Sequence, residues 1–233
     1  MDWNHFLNHH QETFHPLVSP DLTTENTWIP DLSGENPALQ EISFTDSKAF
    51  GHYIFDKMKQ HHATYAYGGY MEDRELYRRS PLFTTEGETP RSIHLGIDIW
   101  TTAGTPVYVP LKGLIHSFQD NAQYGDYGPT IIMKHTLNDT TFFTLYGHLT
   151  RDSLESLTPG MAVESGEQLC KIGNAPENGD WPPHLHFQII TDIMDRQGDF
   201  PGVCLPGEKD KYRILCPDPK VFFPGLYPAA SGN

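Results

Sequence analysis

Apolar residues alternate through one short stretch of the chain: Ile93, Leu95, Ile97 and Ile99 face one way, and His94, Gly96, Asp98 and Trp100 the other. A period of two predicts a strand with one apolar and one polar side. A second stretch repeats the pattern, with Leu185, Phe187 and Ile189 opposite His184 and His186, directly after Trp181-Pro182-Pro183. Between them lie further runs of β-formers at Val107–Val109, Leu114–Phe118, Thr130–His135, Thr141–Tyr146 and Gln168–Ile172. Turn-forming segments such as Gly104-Thr105-Pro106, Asn138-Asp139 and Pro159-Gly160 separate the runs. Many short strands at this density predict an antiparallel sheet that is strongly curled or folded on itself. Upstream, Phe50, Tyr53, Ile54 and Met58 fall at helical spacing, so a helix is expected from a cap at Asp46 to about His62.

The periodicity divides the chain. Residues 1–45 are polar, carry Pro16, Pro20, Pro30 and Pro37, and read as an extended N-terminal arm. Residues 46–90 hold the helix and a segment, Tyr67 to Arg74, expected to line a groove. Residues 91–195 form the strand-rich core, and residues 196–233 a Gly- and Pro-rich tail packed on it. The 20 glycines and 19 prolines support β structure with many turns over a helical bundle. A formal net charge of -14 argues against nucleic acid as a partner. No run approaches the roughly 20 apolar residues of a membrane span, so no membrane insertion is expected. The first residues lack a basic segment followed by an apolar run. No signal peptide is read, and cytoplasm is the default location, with the cell envelope the alternative if the chain has been trimmed. Cys170, Cys204 and Cys216 are too few for a disulfide framework and contain no Cys-x-x-Cys. They are expected as reduced thiols, although Cys204 and Cys216 are able to pair in an oxidising compartment.

The chemistry sits on the polar sides of the two alternating stretches. In a straight strand the Cα atoms of His94 and Asp98 lie about 13 Å apart. Two ligands of one zinc ion need donor atoms roughly 3 Å apart, because each bond is only about 2 Å. The segment must therefore bend if both bind, and Gly96 is where a bend costs least. His184 and His186 share a face, close enough that one ring binds a metal while the other faces an open coordination position. Thr144-Leu145-Tyr146-Gly147-His148 adds a histidine at a strand end. Two His and one Asp as ligands, with an open fourth position and two further histidines beside it, are what a zinc hydrolase requires. His116 and His135 lie in expected strands and read as structural. His52, His61 and His62 belong to the helix, and the histidines at 5, 9, 10 and 15 read as part of a solvated arm with weak metal affinity at most.

These motifs in this order strongly resemble the lysostaphin/LytM-type zinc endopeptidases. The match comprises His-Leu-Gly-Ile-Asp at 94–98, Gly-Thr-Pro-Val-Tyr-Val-Pro at 104–110, Gly113, Leu-Tyr-Gly-His-Leu at 145–149, Gly160, Val163, Gly166-Glu167-Gln168 and Pro-His-Leu-His-Phe at 183–187. It spans residues 66–191 and leaves the arm and the tail outside. The resemblance implies one zinc ion held by His94, Asp98 and His186, with His148 and His184 catalytic. It also implies a mainly β fold: a curled antiparallel sheet, or half-barrel sandwich, with a short helix and extended terminal additions. The implied activity is hydrolysis of peptide bonds in peptidoglycan-type cross-links. Some members carry a transition-state tyrosine six residues before the first zinc histidine. Here that residue is Glu88, and Tyr146, Tyr70 or Arg74 are the candidates to replace it. Tyr70, Arg74, Tyr146 and Trp181 are the expected substrate-binding residues.

Three other functions fit parts of the pattern. A non-catalytic regulatory or binding module uses the same fold, but such modules usually lose metal ligands and all five site residues are present here. A biotinyl- or lipoyl-type carrier would be modified on Lys112, within Val109–Leu114, and leaves those five residues unexplained. A zinc hydrolase acting on non-murein peptides fits the expectation that no signal peptide is present.

Overall fold

The alternating stretches become neighbouring strands of one eight-stranded sheet. The computed structural model describes residues 3–10, 14–43, 47–79, 81–83 and 89–227. Its strands are β1 (Thr27–Trp28), β2 (Tyr65–Gly68), β3 (Ile93–His94), β4 (Ile97–Trp100), β5 (Pro106–Tyr108), β6 (Gly113–Asn121), β7 (Gly128–Leu137), β8 (Thr140–Gly147), β9 (Ala162–Val163), β10 (Gln168–Lys171), β11 (His184–Ile190) and β12 (Val203–Cys204). The helices are α1 (Trp3–Asn8), α2 (Ser47–Gln60), α3 (Glu75–Arg79) and α4 (Lys209–Leu215). The large sheet runs β1-β2-β4-β11-β8-β7-β6-β9, while β10 pairs with β5 and β12 with β3 in two-stranded sheets. Every pairing in the large sheet is antiparallel except β1 with β2 at one edge.

Both faces of β4 and β11 are buried throughout. Ile97, Ile99, Leu185, Phe187 and Ile189 enter the main core, which Leu7, Leu17, Val18 and Leu22 from the N-terminal segment and Val221 to Phe223 from the tail complete. The N-terminal segment is thus part of the core, and it carries α1 and β1. Elements of two to six residues leave too few turns or alternations for periodicity to reveal. On α2 the expected stripe is buried at Phe50, Ile54 and Met58, against Ala66, Leu76 and Trp100. Burying each such side chain contributes about 1.5–3 kcal/mol. The cap proposed at Asp46 lies outside the described residues.

The bend expected at Gly96 takes the form of a full break. The run Ile93–Trp100 is two strands, interrupted at Leu95-Gly96. β3 leaves the large sheet to pair with β12, and the His94 N–H donates to the Glu72 carbonyl at 2.9 Å. The Leu95 N–H bonds the Gly202 carbonyl. The glycine serves close approach: a Cβ on Gly96 would lie 2.6 Å from the Phe187 carbonyl oxygen and 2.7 Å from Nε2 of His186.

The three cysteines are buried free thiols. Among the described residues no helix is long and apolar enough to cross a membrane.

Candidate metal centre and active site

Register brings the candidate ligands together. Asp98 on β4 lies opposite His186 on β11, and the interruption before Ile97 returns His94 to the same point. Nε2 of His94, Oδ1 of Asp98 and Nδ1 of His186 form a triangle with sides of 3.0, 3.1 and 3.4 Å. Bonds of about 2.0–2.1 Å in a tetrahedral zinc site place ligand atoms about 3.3 Å apart, so the triangle fits that ion. All three residues are buried, and the described residues contain no other grouping of this kind.

Hydrogen bonds fix which ring nitrogens are bare. His94 donates Nδ1–H to the Gly69 carbonyl at 3.1 Å, leaving Nε2 without a proton. Gln188 donates Nε2–H to the Pro201 carbonyl at 3.1 Å, which turns its Oε1 toward Nε2 of His186 at 2.9 Å. That oxygen accepts, so His186 carries its proton on Nε2 and presents a bare Nδ1. In these tautomers two lone pairs and a carboxylate oxygen converge. A buried cluster of acceptors is costly alone and is satisfied by a cation.

The surroundings keep these groups in their ligand states. Burial, together with the nearby Arg74 charge, lowers the pKa of His94 to about 4, so the ring is neutral. Burial alone would push the Asp98 carboxyl up, yet the charge of the adjoining Arg74 guanidinium holds it well below the usual carboxylate range. Arg74 Nη1 donates to Oδ2 of Asp98, the oxygen outside the triangle.

His184 and His148 stand beside the triangle. His184 donates Nδ1–H to the Pro182 carbonyl at 2.7 Å, and its bare Nε2 lies 3.9 Å from Oδ1 of Asp98. His148 donates Nδ1–H to the Asn178 carbonyl at 2.8 Å. The two rings sit 4.1 Å apart between centroids. Burial lowers the pKa of both rings below the ordinary value, so both are neutral bases. His148 adopts φ +63, a conformation that costs a non-glycine residue energy and is held where surrounding contacts fix it. Its N–H donates to the Tyr127 carbonyl and its carbonyl accepts from Gly173.

Asp98, His148, His184 and His186 line a cavity of about 400 Å³. Phe50, Tyr77, Trp100, Tyr127, Trp181 and Phe200 supply its aromatic walls, and Arg91, Asp126, Arg196 and Asp199 its charges. Of the expected substrate-binding residues, Trp181 and Arg74 line it. Arg74, however, is only 1 % exposed and tied to two carboxylates. Tyr70 instead donates its hydroxyl to the Cys216 carbonyl at 2.7 Å, and Tyr146 packs in the main core, its hydroxyl accepting from Thr144. Neither tyrosine is among the cavity-lining residues. Glu88 lies outside the described residues.

Three contributors escape sequence reasoning: Gln188, Asn178 and Tyr127. Gln188 was legible only as the next residue on the face of His184 and His186. Asn178 is fully buried, and its side chain bonds both the carbonyl and the N–H of Trp181. It shapes the turn before the histidine pair, and nothing in its spacing marks it. The Tyr127 hydroxyl lies 3.5 Å from Nε2 of His186, and the sequence around it reads only as a turn.

Residues 92–197, a little under half of the chain, match the model of peptidase family M23. The matched segment contains His94, Asp98, His148, His184 and His186. No curated protein matches the chain. Among solved structures, a zinc-containing peptidase from Vibrio cholerae is 25% identical over 48% of this chain and 30% of its own length, with a TM-score of 0.36. The lysostaphin catalytic domain from Staphylococcus simulans is 24% identical over 52% of this chain and 80% of that domain, with a TM-score of 0.36. The catalytic domain of the prophage-encoded M23 protein EnpA from Enterococcus faecalis, in a mutant form, is 22% identical over 52% of this chain and 81% of its own, again at 0.36.

Proposed function

We propose that this chain is a zinc-dependent endopeptidase that cleaves peptide bonds in peptidoglycan-type cross-links. The observation that carries the proposal is the convergence of bare Nε2 of His94, Oδ1 of Asp98 and bare Nδ1 of His186 within 3.4 Å, on a cavity shared with two neutral histidines. His94, Asp98 and His186 would hold the ion. When bound, zinc supplies Lewis acidity and makes water nucleophilic near neutral pH.

The chain's own groups do the rest. Nε2 of His184, the bare nitrogen 3.9 Å from Asp98, takes the proton of the attacking water and returns it to the leaving amine. His148, its ring 4.1 Å from that of His184 and tilted against it, with its own Nε2 bare, is the second acceptor and holds the scissile group against the site. The main-chain carbonyls of Pro182 and Asn178 keep both rings in the tautomer that this task needs. The aromatic walls exclude water around the peptide. The substrate class rests on the lysostaphin/LytM-type motifs and on the family match of residues 92–197.

The test is digestion of glycine-rich and murein stem peptides by zinc-loaded protein, read by mass spectrometry. New amine and carboxyl ends are expected, and are expected to vanish in His184→Ala. Cleavage confined to non-murein peptides would move the substrate class. A zinc-loaded protein that cleaves none would make the domain a binding module.

A further inference from the structure

Arg74 approaches Asp98 from the side away from the ligand triangle. Its Nη1 donates to Oδ2 of Asp98 and lies 3.3 Å from the Tyr77 hydroxyl, and its Nε donates to Oε2 of Glu72 at 3.0 Å. The guanidinium lies over the rings of Tyr77 and Trp100, 5.7 and 5.6 Å from their centroids. Glu72 is anchored in turn: its Oε1 accepts the Leu32 N–H at 3.0 Å, and its carbonyl accepts the His94 N–H. Gly68, opposite Asp98 on β2, leaves the space that the guanidinium fills, since a Cβ there would lie 2.7 Å from Arg74 Nη2 and 2.5 Å from the Trp100 ring.

We propose that Arg74, locked by Glu72, is a positioning residue that commits one oxygen of Asp98 and leaves the other alone to the metal. The inference rests on the metal-centre reading above. A free carboxylate offers two oxygens, and taking both raises the coordination number of the ion and closes the position that a hydrolase keeps open. A planar guanidinium with a fixed donor fork, itself held at Nε, occupies Oδ2 in one geometry, which a flexible ammonium does less well. Its charge also draws electron density from the carboxylate and leaves the ion more acidic. Arg74 thus acts through Asp98. Its burial argues against direct contact with substrate, and the N-terminal segment reaches the metal centre through Leu32, Glu72 and Arg74.

Cobalt(II) substitution reads this without any substrate. A four-coordinate cobalt site absorbs strongly in the visible, and the absorption falls when a further ligand oxygen joins. The wild-type protein is expected to give the strong spectrum, Arg74→Met one at least halved, and Arg74→Lys a partial recovery. If circular dichroism shows that Arg74→Met does not fold, Glu72→Gln replaces it, with a smaller loss in the same direction. A wild-type spectrum in the folded variant would overturn the inference while leaving the metal centre intact. A wild-type protein that takes up no cobalt would overturn the metal centre itself, and this inference with it.

Discussion

The imidazole of His186 lies across Gly96, where any Cβ would come within 2.7 Å of its Nε2. Neither partner has room to yield, because the Phe187 carbonyl crowds the same point and Gln188 holds Nε2 from the far side. Gly96→Ala is expected to turn the His186 ring and weaken zinc binding by about 10–100-fold, the usual penalty for disturbing the support of a ligand. Competition against a chromophoric chelator measures this. Unchanged affinity would mean that the close approach is incidental.

Gln188 gives His186 its tautomer. Gln188→Met keeps the volume and removes the acceptor, so the Nδ1 lone pair is no longer enforced. Zinc affinity is expected to fall by roughly tenfold or more. Gln188→Glu preserves an acceptor toward Nε2 but loses the donor to the Pro201 carbonyl, and is expected to retain more affinity than Gln188→Met. The reverse order would refute the assignment of Nε2 as the protonated atom.

In the proposed mechanism His184 and His148 move protons, and neither holds the ion. His184→Ala and His148→Ala are each expected to keep bound zinc and to lose about 10²–10⁴-fold in peptide cleavage. Elemental analysis alongside the peptide assay separates the two roles. Loss of zinc from either variant would move that histidine into the ligand set.

His135 predicts acid sensitivity that has nothing to do with the site. It is fully buried between the Lys112 carbonyl and the Thr144 hydroxyl, and burial lowers its pKa from 6.5 to about 4. The folded ring stays neutral while the unfolded chain takes up the proton. Its stabilising contribution is therefore complete above pH 6.5 and is lost as pH falls toward 4, to an extent of about 3 kcal/mol. Urea midpoints of metal-free protein across that range are expected to fall less steeply with acid in His135→Gln. Equal slopes for the two proteins would contradict this.

The strands of the core were legible because each carries several alternations. The site was legible because its side chains sit at fixed offsets on the polar sides of two of those strands. The bend between His94 and Asp98 followed from ligand geometry alone, whereas the reason for Gly96, the ring of His186 passing over it, needed the sheet register. Sequence shows Arg74 as an arginine near the groove, but not that its charge is paired with Asp98 and Glu72. The short elements α1 and β1 gave no periodicity. Gln188, Asn178 and Tyr127 work through hydrogen bonds to groups distant in sequence, which no local pattern encodes.

The central claim is that His94, Asp98 and His186 hold one zinc ion, and metal stoichiometry tests it most directly. Protein stripped with a chelator, exposed to a slight excess of zinc and desalted is expected to retain one ion per chain, with Asp98→Ala and His186→Ala retaining essentially none. Wild-type protein that emerges without zinc, or variants that retain it as fully as wild type, would contradict the account.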